Sequence, residues 1–272
     1  MEKYVEYATQ SFTLPNICIR LRDVLDDNRS DMDDLAKLIG IDPSLTAKIL
    51  KMANSALFRF PAQVDSITKA ISVIGGEALY NLVMAETAST AFKHFNSEHI
   101  RLDNHWVQSV YNGLVAKNIA KLCHIRGSER FFVMGILHNL SELVIAKHAP
   151  EKYLDYIQRS PALLPWENQQ AVFGFSFAQC SGAIMEKWQL PMPLFYPVSH
   201  VHDLDKQAAD VDIGLLAYAM RVTIREKNPV AYGNIELLSS DSANKLKVSG
   251  DDLANVISYA NSETDKIAFD II

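Results

Sequence analysis

The chain has 272 residues, 49% of them apolar and 21% charged, with a formal net charge of −6. This is ordinary globular composition, long enough for one large domain or two small ones with a core that needs no disulfide or metal staple. An acidic balance, with a sequence pI near 5.7, works against gripping nucleic acid through its phosphates and leaves only a local basic patch for that purpose.

No stretch reaches the roughly 18 uninterrupted apolar residues of a membrane span. The first residues, Met1 to Glu6, lack the basic and then apolar order of a signal peptide. Cys18, Cys123 and Cys180 are odd in number, widely spaced and free of any CxxC pattern. They read as buried thiols in a reducing compartment, so the expected location is cytoplasmic, with no membrane association.

In chain order the punctuation predicts helices. Ser30 and Asp33 form a capping-box pattern ahead of Leu35, Leu38 and Ile39, and Gly40 stands where that helix stops. Asp42-Pro43 restarts the chain, with Asp as the cap and Pro at the first helical position. Leu45, Ile49, Met52 and Ala53 follow at helical spacing. Asp65 is expected to cap a helix carrying Ile67, Ala70, Ile71 and Ile74, closed by Gly75-Gly76.

A long helix is predicted from about Glu77 to Phe95, and the polar stretch Asn96 to Asn104 is the expected boundary between two lobes. Beyond it the pattern predicts helices over Trp106 to Leu122, Glu129 to Lys147, Tyr153 to Ile157 and Ser176 to Trp188, the last ended by Leu190-Pro191-Met192-Pro193. Asp212 to Glu226 is apolar on most sides and is expected to be central. Ser249 and Asp252 make a capping box before a final helix ending near Ile267, with Leu253, Val256, Ile257 and Ala260 on one face. No region sustains period-two alternation, and there is no internal repeat or phosphate-binding glycine loop. The expected fold class is all-α, with two packed helical lobes.

Two stretches carry a family resemblance. The first runs through Asp42-Pro43-Ser44-Leu45, Asn54-Ser55-Ala56-Leu57-Phe58, Ser66-Ile67-Thr68-Lys69-Ala70-Ile71 and Ile74-Gly75. The second is Gly135-Ile136-Leu137-His138-Asn139-Leu140, followed downstream by Trp188-Gln189-Leu190-Pro191. The ordered series resembles the HDOD family, the HD-related output domains, and the second stretch is similar to the GLLHDIG segment of the HD superfamily. The resemblance covers about Phe12 to Asp205. It implies an HDOD domain over 12–205, with an N-terminal helical lobe over about 12–97 and an HD-domain-like helical bundle over about 104–205. Residues 206–272 are then a helical extension packed on the HD-like lobe. Residues alone give Asn54 and Ser55 a structural role, satisfying loose backbone groups at a helix end.

Catalytic HD phosphohydrolases hold divalent metal with a His, an adjacent His-Asp pair and a distant Asp. The resemblance places these positions at Gln108, at His138-Asn139 and near Tyr218, with further His positions near Phe177 and His200. Both carboxylates and one imidazole of the basic four are thereby lost. A divalent ion there would lack compensating charge in a low dielectric, at a cost on the order of several kcal/mol. The expectation is therefore no bound metal, no cofactor and no catalytic residue, with His138 as a hydrogen-bonded core histidine. His200-Val201-His202-Asp203 lacks the i, i+4 spacing of a zinc helix and reads as histidines near a turn.

Three functions stay open. The first is a non-catalytic bacterial signalling module that binds a protein partner or a small ligand. The second is a metal-dependent phosphohydrolase acting on a nucleotide or cyclic dinucleotide, against which the ligand census counts. The third is a DNA-binding regulator using residues 31–53, whose Leu35 to Leu50 stretch resembles a helix-turn-helix. Asp31, Asp33 and Asp34 beside it disfavour a nucleic-acid partner.

Overall fold

The computed structural model describes residues 1–159, 163–237 and 246–271; part of the expected extension, 238–245 and 272, lies outside them. Among the described residues the protein is all-α, without strands. After α1 (Glu2–Ser11), the first lobe holds α2 (Asn16–Asp26), α3 (Met32–Gly40), α4 (Pro43–Ala53), α5 (Ile67–Ile74) and α6 (Gly76–His94). The second begins with α7 (Leu102–Leu122), α8 (Glu129–Leu137), α9 (Leu140–His148) and α10 (Pro150–Gln158). It continues through α11 (Pro165–Phe173), α12 (Phe177–Lys187), α13 (Met192–Ser199), α14 (Leu204–Ala209), α15 (Val211–Lys227) and α16 (Pro229–Tyr232). The last helix, α17 (Gly250–Ile271), runs four residues past the expected end.

Caps set most of these boundaries. Asp42 accepts from the N–H groups of Ser44 and Leu45, at 2.9 and 3.1 Å, and Pro43 occupies the first turn. Two expected caps shift by one residue. Asp31, with Asp34, forms the capping box of α3 in place of Ser30 and Asp33, because the Ser30 N–H is already bonded to the Asp27 carbonyl in the preceding turn. Ser66, not Asp65, caps α5 by accepting from Lys69 N–H at 3.2 Å. Gly75 has φ +85°, open to glycine without strain, and joins α5 to α6 with no intervening loop.

Asn54 pins the segment that follows α4. Its amide nitrogen donates to the carbonyls of Leu50 and Val64, and its amide oxygen accepts from Val64 N–H, all within 2.7–2.8 Å. Ser55 donates to Met52 O and accepts from Leu57 N–H. These are the backbone groups that an unpaired helix end leaves open.

Helices α6, α7 and α15 are buried on nearly every side and form the axis of one continuous apolar core through both lobes. Residue 113 is glycine because α7 and α8 touch there. A Cβ on Gly113 would lie 2.7 Å from the Phe132 carbonyl oxygen, and one on Gly135 would lie 2.7 Å from Gly113 N. Two neighbours are non-local. Helix α1 packs on α9 and α12 of the second lobe, and Trp188 of the WxLP element donates its indole N–H to the Phe12 carbonyl at 3.2 Å. Helix α17 lies along α7 and reaches α4 and α6. Val256 and Ala260 are buried there, while Leu253 and Ile257 pack half-buried against the core.

The single apolar helix expected over Glu129 to Lys147 is two helices. The chain breaks at His138-Asn139, where Asn139 leaves helical geometry with φ −114° and ψ 16°. Both halves bury their apolar faces, so hydrophobic spacing carries no mark of the break.

Candidate functional site

The break delivers His138 and Asn139 to a small cavity that α7 and α15 complete. Its volume is about 40 Å³, room for about three water molecules at one probe sphere each. A backbone carbonyl and two side chains fix the His138 ring from behind. Its Nδ1 lies 2.7 Å from the Gly135 carbonyl oxygen. Asn112 of α7 donates to the same carbonyl at 3.1 Å and accepts at Oδ1 from the Thr223 hydroxyl of α15 at 2.9 Å. A carbonyl can only accept, so Nδ1 carries the proton and Nε2 keeps the lone pair.

A second imidazole, His105 of α7, lines the same cavity. Its side chain is 9% exposed and its Nε2 is buried without a hydrogen-bond partner. The other ring nitrogen, Nδ1, lies 3.4 Å from the Glu142 carboxylate. Burial pushes both rings down to a pKa of about 4, and they repel each other's charged forms. Both are neutral at pH 7.

Glu142 is the one acidic side chain beside this pair. Burial raises its pKa, against the hydrogen bonds that stabilise its anion. Tyr153 donates its hydroxyl to Oε1 at 2.9 Å, and the Asn139 amide donates to Oε2. The carboxylate is thus committed to α9, α10 and His105 and does not line the cavity.

Gln108, His138 and Asn139 come together at this cavity. The other three positions carried over from the HD pattern lie elsewhere. Phe177 starts α12 and packs its ring against Tyr156 and Phe173. Tyr218 is buried, and α15 reaches the cavity instead with Met220, Thr223 and Ile224, which follow it in the same helix. His200 has its Nδ1 against the Tyr196 carbonyl at 2.9 Å and lines a separate groove with His202, whose ring stacks on Trp166 at 4.4 Å. Asp203 caps α14. Burial first, then repulsion from His138 and Arg221, lowers the His202 pKa to about 3.

Sequence reasoning missed His105, Asn112, Glu142 and Thr223. A signal was present on α7, since His105, Gln108 and Asn112 recur at i, i+3 and i+7 on one face. Nothing local pointed to Thr223, 111 residues from its partner Asn112.

The metal of catalytic HD proteins fits this donor set poorly. The cavity offers two neutral imidazole nitrogens, amides and two hydroxyls, several of them already bonded to protein. Among the described residues no carboxylate oxygen lines it. Among the described residues no group of three or more His, Cys, Asp or Glu is placed to hold a metal ion. A dication would enter without an anion to balance it.

The proposed helix-turn-helix is present in outline as α3 and α4, but its polar side chains are engaged internally. Thr46 donates to the Ile39 carbonyl at 3.1 Å, Lys48 pairs with buried Glu86, and Lys51 pairs with Asp270 of α17 at 3.2 Å. Base reading needs such groups free at the start of the second helix. Among the described residues no helix is long and apolar enough to cross a membrane.

Comparison with known proteins agrees with this architecture. A crystal structure of an HDOD domain protein of unknown function from Geobacter sulfurreducens superposes with a TM-score of 0.69 at 20% identity, covering 99% of this chain and 97% of that one. A candidate phosphohydrolase from Shewanella amazonensis superposes with a TM-score of 0.75 at 19% identity, covering 99% and 98%. A candidate signal transduction protein from Marinobacter aquaeolei gives 0.73 at 20%, covering 96% of this chain and 60% of that one. An uncharacterized protein of Treponema pallidum is 25% identical over 197 residues, or 70% of this chain. This chain matches only 37% of that relative's length. The HDOD domain family model matches residues 12–204, well over half of the sequence. The chain belongs to the HDOD domain family.

Proposed function

We propose that the protein is a non-catalytic regulatory module that works by binding a protein partner or a small ligand. The observation that carries this reading is the state of the His138 cavity, where two neutral imidazoles face amides and two hydroxyls while the one nearby carboxylate is held by Tyr153 and Asn139. Metal-assisted hydrolysis needs an anion to hold the ion and a group to orient the attacking water. We assign residues 12–205 to the HDOD domain and 206–272 to an extension of it, with His138 in a structural role and no cofactor.

Elemental analysis of the purified protein, before and after dialysis against Mn²⁺, tests this together with turnover of nucleotide and cyclic dinucleotide phosphoesters. The expected result is substoichiometric metal and no turnover, with His138→Ala changing stability or partner binding alone. Stoichiometric metal with turnover that His138→Ala abolishes would restore the phosphohydrolase. A gel-shift assay at physiological salt, with protection of the Ser44 to Lys48 segment, is the result that would favour the DNA-binding alternative.

A further inference from the structure

A cleft of about 770 Å³ opens between α2 and α6 of the first lobe and α8, α13 and α15 of the second. That size is typical of binding sites, roughly 300–1,000 Å³. A comparably large groove beside Asn54 has that residue's amide bonded to its own backbone. The interlobe cleft differs, because two polar side chains of its wall have no partner among the described residues.

Asn81 lies in its wall, only 8% exposed, and its side-chain amide forms no hydrogen bond with any described residue. Tyr80 beside it is 3% exposed, and its hydroxyl is likewise without a partner. Neither polar group is sealed from solvent, so both stay open at the cleft to a ligand that enters it. Gln189 reaches the opposite wall from a backbone held at φ +59°, with Pro191 and Leu194 supplying an apolar surface next to it.

Charge selects the occupant. Arg22 is bound by both Asp26 and Glu77, and Arg130 by Asp212. Two guanidiniums against three carboxylates leave the lining with one net negative charge. The Asp26 and Glu77 side chains remain 64% and 65% exposed. An anionic ligand such as a nucleotide phosphate meets committed guanidiniums and an excess of carboxylate that, although paired with Arg22, stays largely exposed. A cationic side chain meets the reverse. A carboxamide presents a donor and an acceptor side by side, the complement of a peptide unit.

We infer that this cleft binds an extended basic peptide segment of a partner protein. Asn81 and Gln189 bond its peptide units, Pro191 and Leu194 pack an apolar neighbour, and Asp26 with Glu77 receives the cation. This deepens the proposed binding function and rests on it. The metal and turnover assays at His138 do not involve the cleft, so the two readings fail separately.

The test is a titration of the full chain with the peptide amide acetyl-Ala-Leu-Arg-Ala-Ala, following side-chain amide signals by NMR. The expected result is saturable shifts at Asn81 and Gln189, with none from the Arg-to-Glu peptide or from free arginine. Asn81→Leu should weaken binding roughly tenfold or more. Gln189→Gly, at a positive φ that glycine adopts freely, should weaken it too and provides a folded control. The inference is overturned if the basic peptide leaves Asn81 unmoved at millimolar concentration. It is equally overturned if the acidic peptide or free arginine binds as well, the latter meaning a small cation in place of a peptide. Full affinity in Gln189→Gly or in a folded Asn81→Leu variant also counts against it.

Discussion

The indole N–H of Trp106, near the start of α7, donates to the carbonyl oxygen of Ala268, 162 residues later in α17, at 3.1 Å. Both residues are buried, and the Trp106 ring meets Phe92 of α6 edge-on at 5.3 Å. The same helix is tied to the first lobe by the Tyr259 hydroxyl, which donates to Ala56 O at 2.5 Å beneath the Arg59 guanidinium. Helix α17 therefore fastens the two lobes together.

Trp106→Phe keeps an aromatic ring and removes the donor, leaving the Ala268 carbonyl without its indole partner. The expected loss is about 1–3 kcal/mol of unfolding free energy, read by urea denaturation. No measurable change would mean that solvent replaces the indole and that the α17 contact is loose.

Gly135→Ala should be worse than its size implies. The new methyl collides with the α7 backbone at Gly113, and overpacking of this kind costs roughly 1–3 kcal/mol. It also displaces the Gly135 carbonyl that holds His138 and Asn112. Gly40→Ala is the control. Nothing lies within 4 Å of its Cβ position, so a neutral or slightly stabilising effect is expected. Equal melting temperatures for the two variants would refute the close approach of α7 and α8.

Acid should unfold the protein through its histidines. His105 and His138 titrate near pH 4 and His202 near pH 3 in the fold, against about 6.5 when unfolded. Between those values the unfolded chain holds protons that the folded chain does not. Stability is therefore fully present above about pH 6.5 and falls as the pH drops toward 4. Glu142 and Glu86, whose pKa values are raised by burial, act in the opposite sense, but three imidazoles outnumber two carboxyls. Chemical denaturation at intervals over this range should show the decline, and His138→Gln should flatten it by about one proton. A flat profile in the wild type would place these rings in water.

Lys117 offers the alkaline counterpart. Its ammonium donates to the Leu57 carbonyl at 2.6 Å over the Phe58 ring, and burial lowers its pKa to about 8. From about pH 8 to 10 the unfolded chain keeps a proton that the folded chain has lost, so this residue's contribution rises with pH. The buried thiols of Cys18 and Cys180, with raised pKa values, act the other way. The difference in stability between wild type and Lys117→Met isolates the lysine, and it should grow from pH 8 upward. A constant difference would show that Lys117 stays charged in the fold.

What the sequence alone determined is the local grammar. Asp42-Pro43 and the Ser249 and Asp252 pair mark helix starts, because a cap is a bond between residues two or three apart. Those bonds, with the apolar period, sufficed for an all-α chain, and the motif strings sufficed for the HDOD family. One-residue slips from Ser30 to Asp31 and from Asp65 to Ser66 show the limit of that grammar, since neighbouring Ser and Asp are nearly equal as caps until a turn claims one of them.

The tertiary structure decided the rest. Glu129 to Lys147 carries one unbroken apolar pattern, yet it divides at His138-Asn139 because the two halves bury against different neighbours, α8 on α7 and α9 on α12. Helix α1 lies on the second lobe although it begins the chain. The His138 cavity takes Thr223 from α15 and excludes Tyr218, a choice set by the rotation of a helix that is buried on nearly every side and has no polar face to reveal it. Asn81 is likewise one polar residue within a helix whose spacing reads as core throughout, and only the opening between the lobes shows what its amide faces.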